Sequence, residues 1–142
     1  MNEAAYRDLI ERHVEAVLAL IRGDAQIANV VFEGDVTGDP GMYVNVWHDT
    51  GFYSAHDASD TPVDVEVTFT VHSVGRDRWQ AVWASGRVTA RVLGVVPQIE
   101  GRRCWRIAPA GSVPVARDDD ASPLRFIARD RFTLRSTPKP TT

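Results

Sequence analysis

Residues 63–94 read VDVEVTFTVHSVGRDRWQAVWASGRVTARVLG. In the first half, Val63, Val65, Val67, Phe69 and Val71 alternate with Asp64, Glu66, Thr68, Thr70 and His72. A period of two is that of a strand with one buried face and one wet face. Val74-Gly75 ends the strand. Asp77 is placed to cap a helix, with Gln80 three residues on as its reciprocal partner. Along that helix Trp79, Val82, Trp83, Gly86, Ala90 and Leu93 recur at steps of three and four, and Arg78, Arg87 and Arg91 fall largely on the other side. The tryptophan side is therefore expected to cover the valine face, each large side chain contributing roughly 1.5–3 kcal/mol on burial. Gly94 is the expected stop.

Outward from this unit, Asn2 is placed to cap a first helix running to about Arg22. Its apolar stripe is Tyr6, Ile10, His13, Val17, Leu20 and Ile21, widened by Leu9, Val14 and Leu18. Arg7 with Glu11, and Asp8 with Arg12, stand four apart on its wet side. His13 lies on the apolar stripe and reads as a packed histidine, not a ligand. Ile27–Phe32 and Met42–His48 read as two strands of a hairpin around the turn residues Gly34, Gly38, Asp39, Pro40 and Gly41. Asp49–Pro62 is an acidic loop of 14 residues with no Lys or Arg. A connection of that length points to function or flexibility. Beyond Gly94, Arg102–Ala108 reads as a strand with Trp105 and Ile107 facing in. Pro109, Gly111 and Pro114 break the pattern before the charged loop Arg117–Asp120. Leu124–Leu134 is the last strand, with Leu124, Phe126, Ala128, Phe132 and Leu134 on one side. Arg125, Arg129, Arg131 and Arg135 lie on the other, with Ile127. Asp130 falls on the apolar side, which calls for a bulge or a pairing. Residues 1–135 form one domain on this reading, and residues 136–142 a loose tail.

Composition narrows the function classes. The chain has 142 residues, a net charge of -3, 44% hydrophobic and 25% charged residues, and one cysteine. It lacks a global basic field for nucleic acid, and the lone Cys104 excludes a disulfide framework or a cysteine-rich zinc site. Asn2, Glu3 and Asp8 make no basic leader, so no signal peptide is expected. No apolar run approaches the roughly 20 residues of a membrane span. The reading is a soluble protein made in a reducing compartment.

Candidate chemistry is sparse. His48-Asp49 and His56-Asp57 have the look of metal-ligand dipeptides but lack further ligands projected from helices, and read as solvated loop. Ser112 lacks the strand–elbow–helix context of a nucleophile, and Cys104 reads as a small core residue. Nothing forms a phosphate-binding glycine loop. The expectation is a non-enzyme with no cofactor and no metal. The charged faces say more. The arginines of the last strand and the acids Asp64 and Glu66 of the central strand would cancel if the two strands were neighbours. If they lay apart, Asp64, Glu66, Arg125, Arg129 and Arg131 would suit contact between copies of the chain.

Several stretches together resemble the tail terminator proteins of long, non-contractile-tailed phages, especially those of actinobacterial phages. They are Tyr43-Val44-Asn45-Val46 before the acidic loop, Ser73-Val74-Gly75-Arg76, Gln80-Ala81 with Gly86-Arg87-Val88, the run Val113–Asp120, Phe126-Ile127, and Asp130–Leu134. The resemblance implies an α+β fold: a mostly antiparallel five-stranded sheet with two helices packed on it, in the order α-β-β-β-α-β-β. It implies a virion protein whose copies form a homohexameric ring at the neck end of the tail. That ring would cap the tube protein, stop its growth and dock the head-completion proteins, with DNA passing through unread and no membrane involved. A negative lumen lets DNA slide. On that basis Asp49, Asp57 and Asp60, or Asp118, Asp119 and Asp120, are expected at the channel or the tube-facing rim. The competing readings are a head–tail connector or minor tail protein, and a small ligand- or metal-binding domain using the His48–Asp60 loop.

Overall fold

A computed structural model of the chain describes residues 3–53 and 64–140. Helix α1 spans Glu3–Arg22 and helix α2 Arg78–Val92. The strands are β1 (Val31–Glu33), β2 (Tyr43–His48), β3 (Phe52–Tyr53), β4 (Val65–Gly75), β5 (Arg102–Cys104), β6 (Ala108–Asp118) and β7 (Arg125–Pro138). They form one sheet in the order β1-β2-β4-β7-β5, with β3 also on β4 and β6 also on β7. The fold is α+β.

β4 runs through the middle. Val65, Val67, Phe69 and Val71 are buried, and the residues between them are half-exposed. Both helices join the core on that buried face: Leu9, Ile10, Val14, Val17, Leu18 and Ile21 from α1, and Ala84, Val88 and Val92 from α2. The cap of α2 is as expected in its acceptor: Asp77 accepts from the Gln80 amide at 2.8 Å. The Gln80 side chain accepts from the amide of Arg76, one residue upstream of the cap. Gly75 sits where a Cβ would lie 2.7 Å from the Ala81 nitrogen, so a residue without a side chain lets α2 start hard against the strand end. Gly94 follows the helix at φ +77°, and its amide is taken by Ile107.

Five features differ from the sequence reading. First, the sheet is mixed, not mostly antiparallel. Residues 28–30 form a 3-10 turn, and β1 pairs parallel with β2 through Val31–Val44 and Glu33–Val46, so the expected hairpin is absent. Parallel pairs ordinarily need a crossover of about a dozen residues. Here β1 is three residues long, and the loop 34–42 has only a short distance to retrace. Second, β6 is a full strand of 11 residues despite Pro109, Gly111 and Pro114. It is an edge strand with two register shifts against β7, which is where prolines and bulges are tolerated. With β3 and β6 added, the element order is no longer α-β-β-β-α-β-β. Third, β5 stops at Cys104. Ile107 is buried as expected, but Trp105 is 47% exposed, with the Arg135 guanidinium 5.6 Å from its ring centre. Fourth, β7 continues through Pro138, so Ser136, expected to open the tail, is buried within the sheet. Fifth, α2 turns its small residues inward. Ala81, Ala84, Val88 and Val92 are buried, and the tryptophan side faces outward.

Asp130 resolves by pairing: it accepts a hydrogen bond from the Ser85 hydroxyl of α2, which ties the helix to β7. Asn2, the expected cap of α1, and Val63 lie outside the described residues.

Candidate functional site

The acidic candidates separate into two places. Asp49 follows β2, and its carboxylate accepts from the amides of Gly51 at 3.0 Å and Thr68 at 3.2 Å. Its charge is thus engaged in pinning the loop to β4. Asp118, Asp119 and Asp120 form the turn of the β6–β7 hairpin, where Asp118 caps the Asp120 amide and Arg117 holds Asp119 at 2.6 Å. Asp49 stands beside Thr68, whereas Asp118 pairs with Arg125, next to the Phe126–Gly75 pair. Thr68 and Gly75 are roughly 23 Å apart along the strand. Asp49 and the hairpin turn therefore lie toward opposite ends of the sheet. His56, Asp57 and Asp60 lie outside the described residues.

The arginine row divides. β4 and β7 are neighbours, and Glu66 faces Arg135 across the ladder with the ionic groups 3.9 Å apart. Burial first, and the charge of Arg12 second, hold the Arg102 guanidinium pKa below its usual value, and the nearby charges of Cys104 and Asp64 oppose that shift. Arg125 lies 3.9 Å from Asp39, closing a cleft between the 34–42 loop and the hairpin turn. Arg129 and Arg131 face His72 and Thr70 and make no ion pair with a described residue. Glu66 is thus neutralised within the subunit, while Arg129 and Arg131 remain available to another molecule.

The dipeptide His48-Asp49 does not converge on a point. The His48 Nδ1 donates to the Asp49 carbonyl at 2.7 Å, while the carboxylate is held by amides. Among the described residues no group of three His, Cys, Asp or Glu side chains is arranged to hold a metal ion. Ser112 pairs opposite Asp130 on the exposed edge strand, away from any strand–helix elbow. Cys104 is half-buried, and burial pushes its thiol pKa up, away from the reactive thiolate.

His13 is packed, as its place on the stripe suggests, but within a polar network. It is fully buried, with Nδ1 2.7 Å from the Leu9 carbonyl and Nε2 2.7 Å from the Ser136 hydroxyl. A carbonyl only accepts, so Nδ1 carries the proton and Nε2 accepts from Ser136. The Ser136 oxygen in turn accepts from Arg102 Nε at 3.0 Å, and Arg102 also reaches the Ser136 carbonyl at 3.1 Å. Burial, together with the nearby charges of Arg102 and Arg12, holds the imidazole pKa below its usual value. The network joins α1, β5 and β7.

The largest feature missed by the periodicity is on α2. Trp79 is 74% exposed and Trp83 is 40% exposed, with Val82 between them. Four residues apart on a helix, the two tryptophans are neighbours. The Arg87 guanidinium lies 5.5 Å from the Trp83 ring centre and also forks onto Asp24 at the end of α1, at 2.6 and 2.9 Å. The signal was present in the sequence as a second, smaller stripe at 81, 84, 88 and 92, matching helical spacing equally well. On the far side of the helical layer, Ile10 and Val14 floor a cleft of about 260 Å³ rimmed by Glu11, Glu15, Glu33 and His48. No helix among the described residues is long and apolar enough to cross a membrane.

No protein-family model matches the chain, and no curated protein sequence matches it. Solved structures share its fold, among them two with the following likeness. A chain from the virion of a native gene transfer agent particle superposes with a TM-score of 0.61 at 21% identity, over 85% of this chain and 91% of that one. A second solved protein superposes with a TM-score of 0.53 at 15% identity, over 78% of this chain and 81% of that one. What these likenesses establish is a shared fold, at nearly full length in the first of them.

Proposed function

We propose that this chain is a structural virion protein of a phage-type particle, the subunit of a ring that caps the tail tube at its neck end. In that role it ends tube polymerisation and presents the surface on which the head-completion proteins dock. It works by shape and charge at subunit boundaries, without making or breaking a bond. The observation that carries this reading is the fold shared with a gene-transfer-agent virion chain, matched over 91% of that chain's length. The order of stretches that resemble tail terminators points the same way. The geometry of the described candidate residues supports it too: among them the carboxylates form pins, turns and rims, and they do not converge on a reacting atom. The acidic turn Asp118–Asp120 is the candidate for the channel or tube-facing rim, because Asp119 and Asp120 are exposed at a hairpin end and Asp118 is half-buried beside them.

The test is to add the purified protein to polymerising tail tubes and image their lengths. Tubes of uniform length, against overlong tubes without the protein, are expected. Tubes that ignore the protein refute the capping role. Full heads that leak DNA when the protein is missing from the particle would favour a connector at the neck instead. Reversing the charges of Asp118, Asp119 and Asp120 is expected to impair docking or DNA passage, and normal-length infectious tails from that variant refute the rim assignment.

A further inference from the structure

The tryptophan face of α2 is an exposed apolar surface that lies outside the core formed by the described residues. We infer that it is one half of a head-to-tail contact between copies of this chain, and that the other half is the cleft between α1 and β1. The inference rests on the ring reading for its biological setting, but its physical content comes from these two surfaces.

The halves match in shape. Trp79 projects from the first turn of α2 at 74% exposure, backed by Val82 and Trp83. The cleft, about 260 Å³ with the buried Ile10 and Val14 as its floor, has room for one indole ring. They also match in charge. Arg78, adjacent to Trp79, makes no ion pair with a described residue, and neither do Glu15 and Glu33 on the cleft rim. Glu11, the third rim acid, is held by Arg7 at 2.7 Å. An arginine beside a tryptophan therefore meets two uncommitted carboxylates around a polar-rimmed cleft with an apolar floor. Tryptophan and arginine are the side chains that most often carry the energy of a protein interface.

The two halves share no residue. α2 lies over β4 and β7, whereas the cleft opens where α1 meets β1 and the end of β2. One copy can therefore offer its ridge to a neighbour while its cleft receives another. Such a heterologous contact closes into a ring when the rotation permits. Gly86, farther along the same exposed side, has nothing within 4 Å of where its Cβ would be, so the ridge falls away beyond Trp83 and leaves an approaching backbone clear.

Sedimentation velocity on the full chain across a concentration series tests this. The wild type is expected to associate beyond a monomer as concentration rises. Trp79→Ala, and separately Glu15→Lys with Glu33→Lys, are each expected to weaken association by about tenfold or more. Mixing the two variants leaves one intact ridge and one intact cleft, so the mixture is expected to form dimers and nothing larger. A wild type that is monomeric at every concentration overturns the inference, as does Trp79→Ala associating like the wild type. Trp79 is exposed, so its variant is expected to fold. If the lysine variant does not, Glu15→Gln with Glu33→Gln replaces it. The tube-length experiment is read separately. Capped tubes with undiminished association in Trp79→Ala would end this inference and leave the ring. Association lost as expected, with tubes that ignore the protein, would end the ring and leave the contact.

Discussion

Helices α1 and α2 lie on the same face of one sheet, yet they use their sequences in opposite ways. α1 buries its large side chains, including Leu9, Ile10, Val17 and Ile21, and shows solvent its charges. α2 buries two alanines and two valines and shows solvent two tryptophans. A helix that packs through alanine comes close to the sheet, because nothing larger stands between the backbones. Gly75 beneath the first turn of α2 is part of the same close approach. α1 therefore has one apolar face and one destination for it. α2 has two apolar stripes, one spent on the core and one left for another surface.

The difference is measurable. The largest effect is expected from Ile21→Ala on α1: the side chain is fully buried, and its removal should cost about 2–5 kcal/mol in chemical denaturation. Enlarging the inner face of α2 with Ala84→Leu is expected to cost about 1–3 kcal/mol by overpacking. If Ala84→Leu is neutral, α2 does not approach the sheet as closely as described. On the side of α1 that faces β7, Ser136→Ala strips His13 and Arg102 of a partner and should cost about 1–3 kcal/mol.

The same network has a pH signature. Burial lowers the pKa of His13, so the folded state resists a proton that the unfolded chain accepts. Stability is then complete above an imidazole's ordinary value near 6.5 and declines as pH falls below it. His72 is shifted in the same direction, by burial first and by Arg129 second. Thermal melts between pH 7.5 and about 5 should show the decline, and His13→Gln should flatten it in part, leaving the contribution of His72. A slope unchanged by His13→Gln would place the titration elsewhere. The smallest effect is expected on the outer face of α2, where Trp79→Ala should change folding stability by no more than about 0.5 kcal/mol. A large loss there would mean that Trp79 serves the fold and not a partner.

What could be read from residues alone follows from local rules. The alternation of β4 states its buried face, since side chains on a strand have only two directions. The stripe of α1 states its buried face, since only one apolar stripe exists. Asp77 and Gly94 mark the ends of α2 because capping and left-handed backbone involve a few adjacent residues. The pairing of Asp130 was legible as a need, although Ser85 as the group that meets it was not. The edge strand β6 was hidden by Pro109, Gly111 and Pro114, which break strands in a sheet interior and are harmless at its rim.

The sequence by itself determined the central strand, the first helix and the ends of α2, because each depends on neighbours within a turn or two of the chain; the α+β class came from the resemblance. Only the tertiary structure decided which stripe of α2 faces inward, that β1 pairs parallel with β2, and that Ser136 bridges Arg102, 34 residues away in the chain, and His13, 123 residues away. Those outcomes depend on the space between elements and on which edges are left open. Two stripes of equal period carry no mark of which will meet the sheet until the gap beneath the helix is set.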